Sequence, residues 1–496
     1  MKVLKRALIA LLAVLATLVI VLLAKTFLTP SKQLQIKPET PVAVNAAAAT
    51  ERLAAAVRLQ TISSATDRDA NATAFKALHQ HIETSFPKFH ATAKRELVDG
   101  YGLLYTWGGT DMAAKPIALL AHQDVVPVAP GTEKDWTQPP FSGAIADGFV
   151  WGRGAWDNKS NLMAQLEAME MLIASGFKPR QTIYVFFGQD EEVGGRRGAL
   201  ALAERFKKDG IKLDFVLDEG TLIVEGILKG LDKPAALVGM AEKGYLTLVL
   251  QGTATPGHSS MPPPTARQGA IGMMSAALSR LEDKQFPVEI RGLAADMFDT
   301  LAPEMNLVNR VVLSNLWLTK PIVESQLAKA SSTAALLRTT TALTVVNAGE
   351  RDNVLPGRAE AQVNFRVQPG TTSDDVVKHT LMAVGESPIK VDKKAGFSEA
   401  SKVARIDAPG YQAIAKTLRQ LHGDMVVAPS LMLGGTDARH FDDVADNVYR
   451  FSPVRTGPTD LARFHGTNER ISTANYVEMI QFYFQLLHNV NAAARP

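Results

Sequence analysis

The sequence predicts an α/β protein: a central, mostly parallel sheet with helices on both faces, a small α+β unit inserted into it, and one apolar helix ahead of both. Three observations carry this. Between residues 101 and 217, short apolar runs alternate with segments of helical spacing, the pattern of a parallel sheet covered on both faces. Between 243 and 396 the order becomes βαββαβ, once a long unassigned stretch at 284–337 is set aside. Residues 7–24 form an uncharged apolar run that nothing later in the chain approaches in length.

That run comes first. Lys2, Lys5 and Arg6 precede it and Lys25 closes it. Its eighteen residues span about 27 Å as a helix, close to the thickness of a hydrocarbon core. The apolar part of a cleaved signal peptide is shorter, about 7–15 residues, and ends in a small-x-small site, which Leu22-Leu23-Ala24 matches poorly. The expectation is an uncleaved signal anchor over 1–25, with a cleaved signal and secretion as the alternative and a buried core helix as a third. The cationic flank puts the amino terminus inside and the body on the extracytoplasmic side, periplasmic in a bacterium. Residues 26–49, with Pro30, Pro38, Pro41 and an Ala run, read as a linker.

The body follows in order. Residues 50–62 and 72–86 have helical spacing of Leu, Val, Ile and Phe, with a loop at Thr61-Ile62-Ser63-Ser64. Runs at 102–107, 116–121, 182–187 and 215–217 read as strands, and 159–175 and 198–208 as helices. Strand 244–251, helix 265–282, strands 341–346 and 359–367, helix 372–384 and strand 388–393 make the inserted unit. Helix 409–421, a strand near 448–452 and a final helix over 472–490 return to the α/β pattern. The expected division is 50–242 and 397–496 for the larger domain, with 243–396 inserted.

Composition narrows the chemistry. The chain has 496 residues, enough for two to four domains at roughly 100–200 each. With 46% apolar and 21% charged residues it is neither disordered nor strongly polar. A net charge of +3 and the lack of any basic block give no reason to expect nucleic acid. Cysteine is absent, which excludes disulfides, thiolate metal sites and a Cys nucleophile. A tight metal site must then use His, Asp and Glu.

Such residues recur after strand ends, where parallel sheets bind ligands. His122-Gln123-Asp124 follows the strand ending at Ala121. Asp157 sits at a helix entry in W-G-R-G-A-W-D-N-K-S (151–160), where it could equally be an N-cap. Asp190-Glu191-Glu192 follows the strand ending at Phe187, and its acids repel one another unless cations neutralise them; a solvated acidic loop is the alternative. Asp218-Glu219-Gly220 follows Phe215-Val216-Leu217, and His465 lies in F-H-G-T-N-E-R before the last helix. Each element alone reads as structural. Together they suit Zn²⁺, Mn²⁺ or Co²⁺. Five ligands with one shared carboxylate would hold two ions about 3.5–4 Å apart, polarising a carbonyl and acidifying a water.

From about residue 50 to the carboxyl end the sequence resembles the co-catalytic zinc amidohydrolases and exopeptidases, the family of carboxypeptidase S, aminoacylase and succinyl-diaminopimelate desuccinylase. The resemblance rests on A-H-Q-D-V-V-P-V (121–128), W-G-R-G-A-W-D-N-K-S, Q-D-E-E-V-G-G, L-D-E-G, T-P-G-H-S-S (255–260), R-D-N-V-L-P-G (351–357), G-G-T-D-A-R-H-F (434–441) and F-H-G-T-N-E-R. The W-G-R-G and D-E-E-V-G-G forms look most like the carboxypeptidase S and N-acyl amino acid hydrolase branch. The resemblance implies a zinc-exopeptidase-like catalytic domain with an inserted ferredoxin-like lid or dimerisation domain. It implies two Zn²⁺ per subunit: His122 and Asp218 on one, Glu192 and His465 on the other, and Asp157 bridging. It makes Asp124 the partner of His122 and Glu191 the general base. His258, on the inserted domain, would stabilise the oxyanion, across a homodimer interface in many members. Asn353 and Arg439 would bind the substrate. The branch usually has two consecutive acids where this chain has Asp157-Asn158.

The implied reaction is hydrolysis of an amide bond beside a free carboxylate, in small peptides (a carboxypeptidase or dipeptidase) or in N-acyl amino acids. The competing readings are a membrane-anchored binding protein on the same fold and a two-metal phosphoesterase, for which no phosphate cradle is evident. His79, His81, His90, His379, His422 and His488 match no motif and read as structural. His440 lies beside Arg439 on the substrate side of its motif. Trp136 reads as packing, and Trp151 and Trp156 flank the metal loop. Arg439 has an alternative reading as a surface ion pair with Asp442 or Asp443.

Overall fold

The strand Ile117–His122 is buried along its whole length and lies in parallel between Ile183–Gly188 and Leu213–Val224. In this computed structural model, which describes residues 2–385 and 388–491, eight strands build outward from it. Their order is Lys94–Val98, Gly102–Trp107, Ile183–Gly188, Ile117–His122, Leu213–Val224, Ala445–Thr456, Ala235–Glu242, Val426–Met432. The middle is parallel, as expected, but the sheet as a whole is mixed. Gly102–Trp107 runs antiparallel to both its neighbours, and Ala235–Glu242 pairs antiparallel with Leu213–Val224 and Ala445–Thr456. The cause is connection length. Residues 99–101 and 225–234 are too few to carry a crossover, so the chain turns back as a hairpin.

Side-chain alternation divides the sheet into two apolar faces. Leu119, Ala121, Phe215 and Leu217 face one core with the helices Ala46–Val57, Lys159–Ala174, Pro409–Leu421 and Thr473–Asn491. Ala118, Leu120 and Val216 face the other, with Leu202, Phe206 and Phe441. Lys159–Ala174 is buried almost all round, because it lies between the sheet and the last helix. Its first residue, Lys159, is fully buried and donates to the carbonyls of Ala56 (3.0 Å) and Leu59 (2.5 Å).

A second, four-stranded antiparallel sheet has the order Thr340–Ala348, Arg358–Val367, Gly244–Thr253, Ile389–Lys393. Ala270–Asp283 and Ser373–Val384 cover one face of it, closing a separate core around Leu248, Met274, Val363, Phe365 and Val376. The stretch 284–337, unassigned from sequence, holds four short helices: Leu293–Leu301, Leu307–Ser314, Leu316–Leu327 and Ser331–Leu337.

The amino-terminal helix spans Lys2–Leu28, and its apolar window is unburied. The segment after it, read from sequence as a linker, bonds to the body. Gln33 exchanges side-chain hydrogen bonds with the backbone of Val427 (3.1 and 2.7 Å), Leu34 O accepts from Arg419, and Glu39 N donates to Gln420 O. These bonds extend the body's polar edge, and the next helix already begins at Ala46.

His79 is buried beside the sheet, its Nε2 between Gln123 Oε1 (2.8 Å) and Tyr101 O (3.1 Å). Burial pushes its pKa down from 6.5 to about 4. The unfolded chain therefore binds a proton at His79 between those values and the folded chain does not, so stability is lost as pH falls through that window. Wild type should lose on the order of 3 kcal/mol between pH 6.5 and 4 that a His79→Gln variant retains. Chemical denaturation across that range measures the difference, and equal slopes would remove His79 from the account.

Candidate metal centre

Five chain segments converge at one end of the central sheet. His122 ends its strand. Glu191 and Glu192 form a short turn after Ile183–Gly188, and Glu219 lies on Leu213–Val224. Asp157 precedes the buried helix, and His465 lies in the loop ahead of the last one. Two groups of three donors result, each with its ligand atoms within 4.8 Å of one another: His122, Asp157 and Glu219; and Asp157, Glu192 and His465. Asp157 belongs to both. Its Oδ1 lies 3.0 Å from His122 Nε2 and its Oδ2 lies 2.8 Å from His465 Nε2.

The acid beside His122 is Glu219 (3.1 Å), where the family resemblance implies Asp218. Strand periodicity is the reason. Asp218 shares the face of Val216, where its carboxylate accepts from the amides of Ala438 and Glu219 (both 2.8 Å). Past it the pairing with Ala445–Thr456 slips: Asp218 sits opposite Arg450, but Thr221 sits opposite Phe451, so Glu219 and Gly220 bulge out. Gly220 has φ +145°, and a Cβ there would lie 2.8 Å from Arg450 Cβ. Only glycine fits this bend. Asn158, where the family's second acid is usual, donates its amide to Glu219. The Asp157–Asn158 peptide is cis.

Asp124 is fully buried and serves both sides of the cluster. Its Oδ1 lies 3.3 Å from His122 Nδ1, and the two carboxylate oxygens accept from Glu191 N (3.2 Å) and Glu192 N (3.1 Å). Ser63 Oγ, from the loop between the first two helices of the body, donates to the same carboxylate at 2.6 Å. Asp124 therefore orients the imidazole and the acidic turn together.

Arg153 and Glu469, both buried, form a brace that the sequence reading left without a role. One carboxylate oxygen of Glu469 takes the guanidinium (2.5 Å). The other accepts from the amides of Gly154, Trp156 and Asp157 at 2.9–3.0 Å. Arg153 also donates to the carbonyls of His465 and Gly466. The loops carrying Asp157 and His465 are thereby tied together. The available signal was an Arg between two glycines and a Glu four residues after His465.

The electrostatics suit a cation site. Burial, then neighbouring acids, hold Glu191 far above the usual carboxylate range, and burial pushes Glu219 up to about 8. Hydrogen bonds donated to Asp157 and Glu192 raise His465 to about 10. Burial opposes charge on His122, but Glu219, Asp124 and Asp157 outweigh it. So many buried acids coexist only by keeping protons or gaining cations. Glu192 Oε1, buried with no hydrogen-bond donor, is a lone pair that a cation would occupy. The donor set of carboxylates and imidazoles fits Zn²⁺, Mn²⁺ or Co²⁺.

A cavity of about 390 Å³ opens onto the cluster between the two sheets. Asp157, Glu191, Glu192 and Glu219 line it together with three cations, Lys243, Arg366 and Arg439. Lys243 is engaged with the carbonyls of Ala335 and Arg338. Arg366, from the second sheet, lies over the Tyr245 ring at 4.8 Å rather than pairing with an acid among the described residues. Arg439 donates to Gly194 O (3.1 Å), while Asp442 and Asp443 bond to Lys402 and Lys207, so the surface ion pair drops out as its role. His440 lies against Gly194 O as well. Trp156 lines the cavity. Trp151 packs under Arg470 and bonds to Ala146 O.

His258 and Asn353 stand apart. They meet on a small two-stranded ladder, Gly257–His258 with Val354–Leu355, where Ser259 N donates to Asn353 O. His258 is exposed, its Nδ1 2.8 Å from Ser260 Oγ, and neither residue lines the cavity of its own chain.

Comparison with known proteins agrees with this architecture. The model of peptidase family M20/M25/M40 matches residues 118–489. The probable carboxypeptidase S-like 2 of Dictyostelium discoideum is 39% identical over 443 residues, 88% of this chain and 84% of that protein. The N-fatty-acyl-amino acid synthase/hydrolase PM20D1.1 of Danio rerio is 39% identical over 445 residues, 89% and 85% of the two chains. Among solved structures, the M20 family metallo-carboxypeptidase Sso-CP2 of Sulfolobus solfataricus superposes with a TM-score of 0.63 at 20% identity, covering 89% of this chain and 99% of that one. The chain is therefore a hydrolase of the M20/M25/M40 peptidase family, on the branch that holds the carboxypeptidase S-like proteins and the N-fatty-acyl-amino acid hydrolases.

Proposed function

We propose that this enzyme is a dinuclear metallohydrolase that cleaves an amide bond beside a free carboxylate, in N-acyl amino acids or small peptides. One observation carries the reading: two donor groups sharing Asp157 meet at a cavity that two arginines, Arg366 and Arg439, also line. The names of the relatives, N-fatty-acyl-amino acid hydrolase and carboxypeptidase, support it.

His122, Asp157 and Glu219 would hold one ion, and Asp157, Glu192 and His465 the other. Zn²⁺ suits this set best, with Mn²⁺ and Co²⁺ as alternatives. When bound, the pair supplies an acidified water and a polarised carbonyl. Glu191 belongs to neither donor group yet lines the same cavity, so its carboxylate is the base that takes the water's proton and returns it to the leaving nitrogen. Arg366 and Arg439 clamp the carboxylate of the amino acid.

His258 and Asn353 would serve a second copy, with the unit around residues 243–396 as lid and dimerisation surface. The helix Lys2–Leu28 would anchor the body outside the cytoplasm.

Four outcomes test this reading. Glu219→Gln should lower metal content from two ions toward one. Asp218→Asn should weaken affinity by about 10–100-fold but still load two at saturation; elemental analysis decides, and the opposite pattern restores Asp218 as the ligand. Glu191→Ala should cost about 10²–10⁴ in kcat with both ions kept. Mixing it with His258→Ala should restore turnover in hybrid dimers, and no recovery after verified subunit exchange would confine His258 to its own chain. Arg366→Ala and Arg439→Ala should each weaken free-acid substrates by about 10–100-fold relative to the matching amides. Equal losses on acids and amides would reject the clamp.

A further inference from the structure

We propose that the exposed apolar face of residues 307–322 docks on the surface of the bilayer that Lys2–Leu28 spans. The proposal rests on the anchor reading and goes beyond it, by assigning a second contact between the enzyme and the membrane.

The end of the anchor helix is not free. Carbonyls near its end accept from the body: Asn315 Nδ2 donates to Leu22 O (3.2 Å), and Arg310 donates to Thr26 O and, just past the helix, to Thr29 O (3.3 Å each). Asn315 also reaches Thr26 Oγ1 (3.1 Å), and Arg310 lies over the Phe27 ring. Ser31 and Lys32 continue the attachment to Glu304 and Asp299. Leu22 still belongs to the apolar run, which ends at Ala24, about 3 Å further along the helix axis. Asn315 is therefore held at the edge of the hydrocarbon layer, with no spacer to lift the body away.

The side chains around that point are apolar and uncovered. Leu307 and Val308 are exposed on one helix, and Trp317, Leu318 and Ile322 on the next. Positions 317, 318, 321 and 322 share one helical face, and Pro321 completes it. A Trp at this depth, apolar in body with one N–H, suits the membrane–water interface. The acid nearest this face in sequence, Glu324, is neutralised by Lys320 (3.7 Å) and accepts from Ile290 N (2.6 Å). The helical segment then runs on to Ser331–Leu337, whose end is bonded to Lys243 in the cavity wall. A docked face thus ties the bilayer mechanically to the active-site cavity.

Trp317 makes the test direct. It is 55% exposed, whereas the other four tryptophans, 107, 136, 151 and 156, are at most 7% exposed. The full-length chain is reconstituted in phosphatidylcholine vesicles, with and without bromine on the upper acyl carbons, and insertion is verified by flotation. Bromolipid should quench wild-type emission, Trp317→Phe should abolish that quenching, and adding Ile322→Trp to that variant should restore it. A chain that floats with the vesicles but is quenched equally in wild type and Trp317→Phe overturns the docking while leaving the anchor intact. Trp317 shielded from both bromolipid and aqueous acrylamide would assign the face to a second copy and also overturns it. Failure to float overturns the anchor reading, and the docking with it.

Discussion

The geometry of the candidate metal centre depends on one buried carboxylate. Glu469 accepts from three amides of the Asp157 loop and from Arg153, which in turn holds the carbonyls of His465 and Gly466. Asp157 and His465 are 308 residues apart in the chain, yet their side chains meet at 2.8 Å. The antiparallel pairing of Phe149–Trp151 with Arg470–Ser472 lays the two loops side by side, and the brace ties them together at the site. A charged pair at this depth is costly unless every lone pair and proton is used, and here nearly all are. Gly154 allows the loop to pass so close: its φ is +87°, and a Cβ would sit 2.7 Å from Val125.

Charge separation within the cavity follows from the same framework. The central sheet delivers His122, Glu191, Glu192 and Glu219, the loops beside it deliver Asp157 and His465, and the second sheet contributes Arg366 and Tyr245. An amino-acid carboxylate drawn to the arginines would leave its amide near the acidic cluster. Oriented binding of this kind converts remote charge recognition into positioning of the scissile bond. The buried Arg450–Glu242 pair (2.9 Å) joins Ala445–Thr456 to Ala235–Glu242 beneath the cavity, and Thr436 Oγ1 donates to the same Glu242 oxygen. The wall carrying Arg439 is thus rooted in the sheet.

Strand-end position and residue type mark His122, Glu191 and Glu192 in the sequence, while Asp157 and His465 stand out through the motifs that carry the family resemblance. The choice between Asp218 and Glu219 was not legible there. Period-two alternation sends adjacent acids to opposite faces, and only the bulge at Gly220 decides which one enters the site. Arg366 escaped notice because it follows Glu360, Gln362 and Asn364 on the polar side of an alternating strand, and nothing local marks its end of the strand as facing the cavity. The segment 284–337 resisted assignment for a related reason. Its helices are short, Pro321 lies inside one of them, and exposed apolar residues blur the helical period. The edge hairpins that make the sheet mixed were missed because connection length, rather than strand composition, sets strand direction.

The central claim is that Asp157 is shared between two ions, one completed by His122 and Glu219 and the other by Glu192 and His465. Anomalous diffraction from crystals of the metal-loaded enzyme, collected on both sides of the metal absorption edge, tests it most directly. The account predicts two peaks about 3.5–4 Å apart, with one oxygen of Asp157 on each. A single peak, or a second ion held by Asp218 with Glu219 turned away, would contradict it.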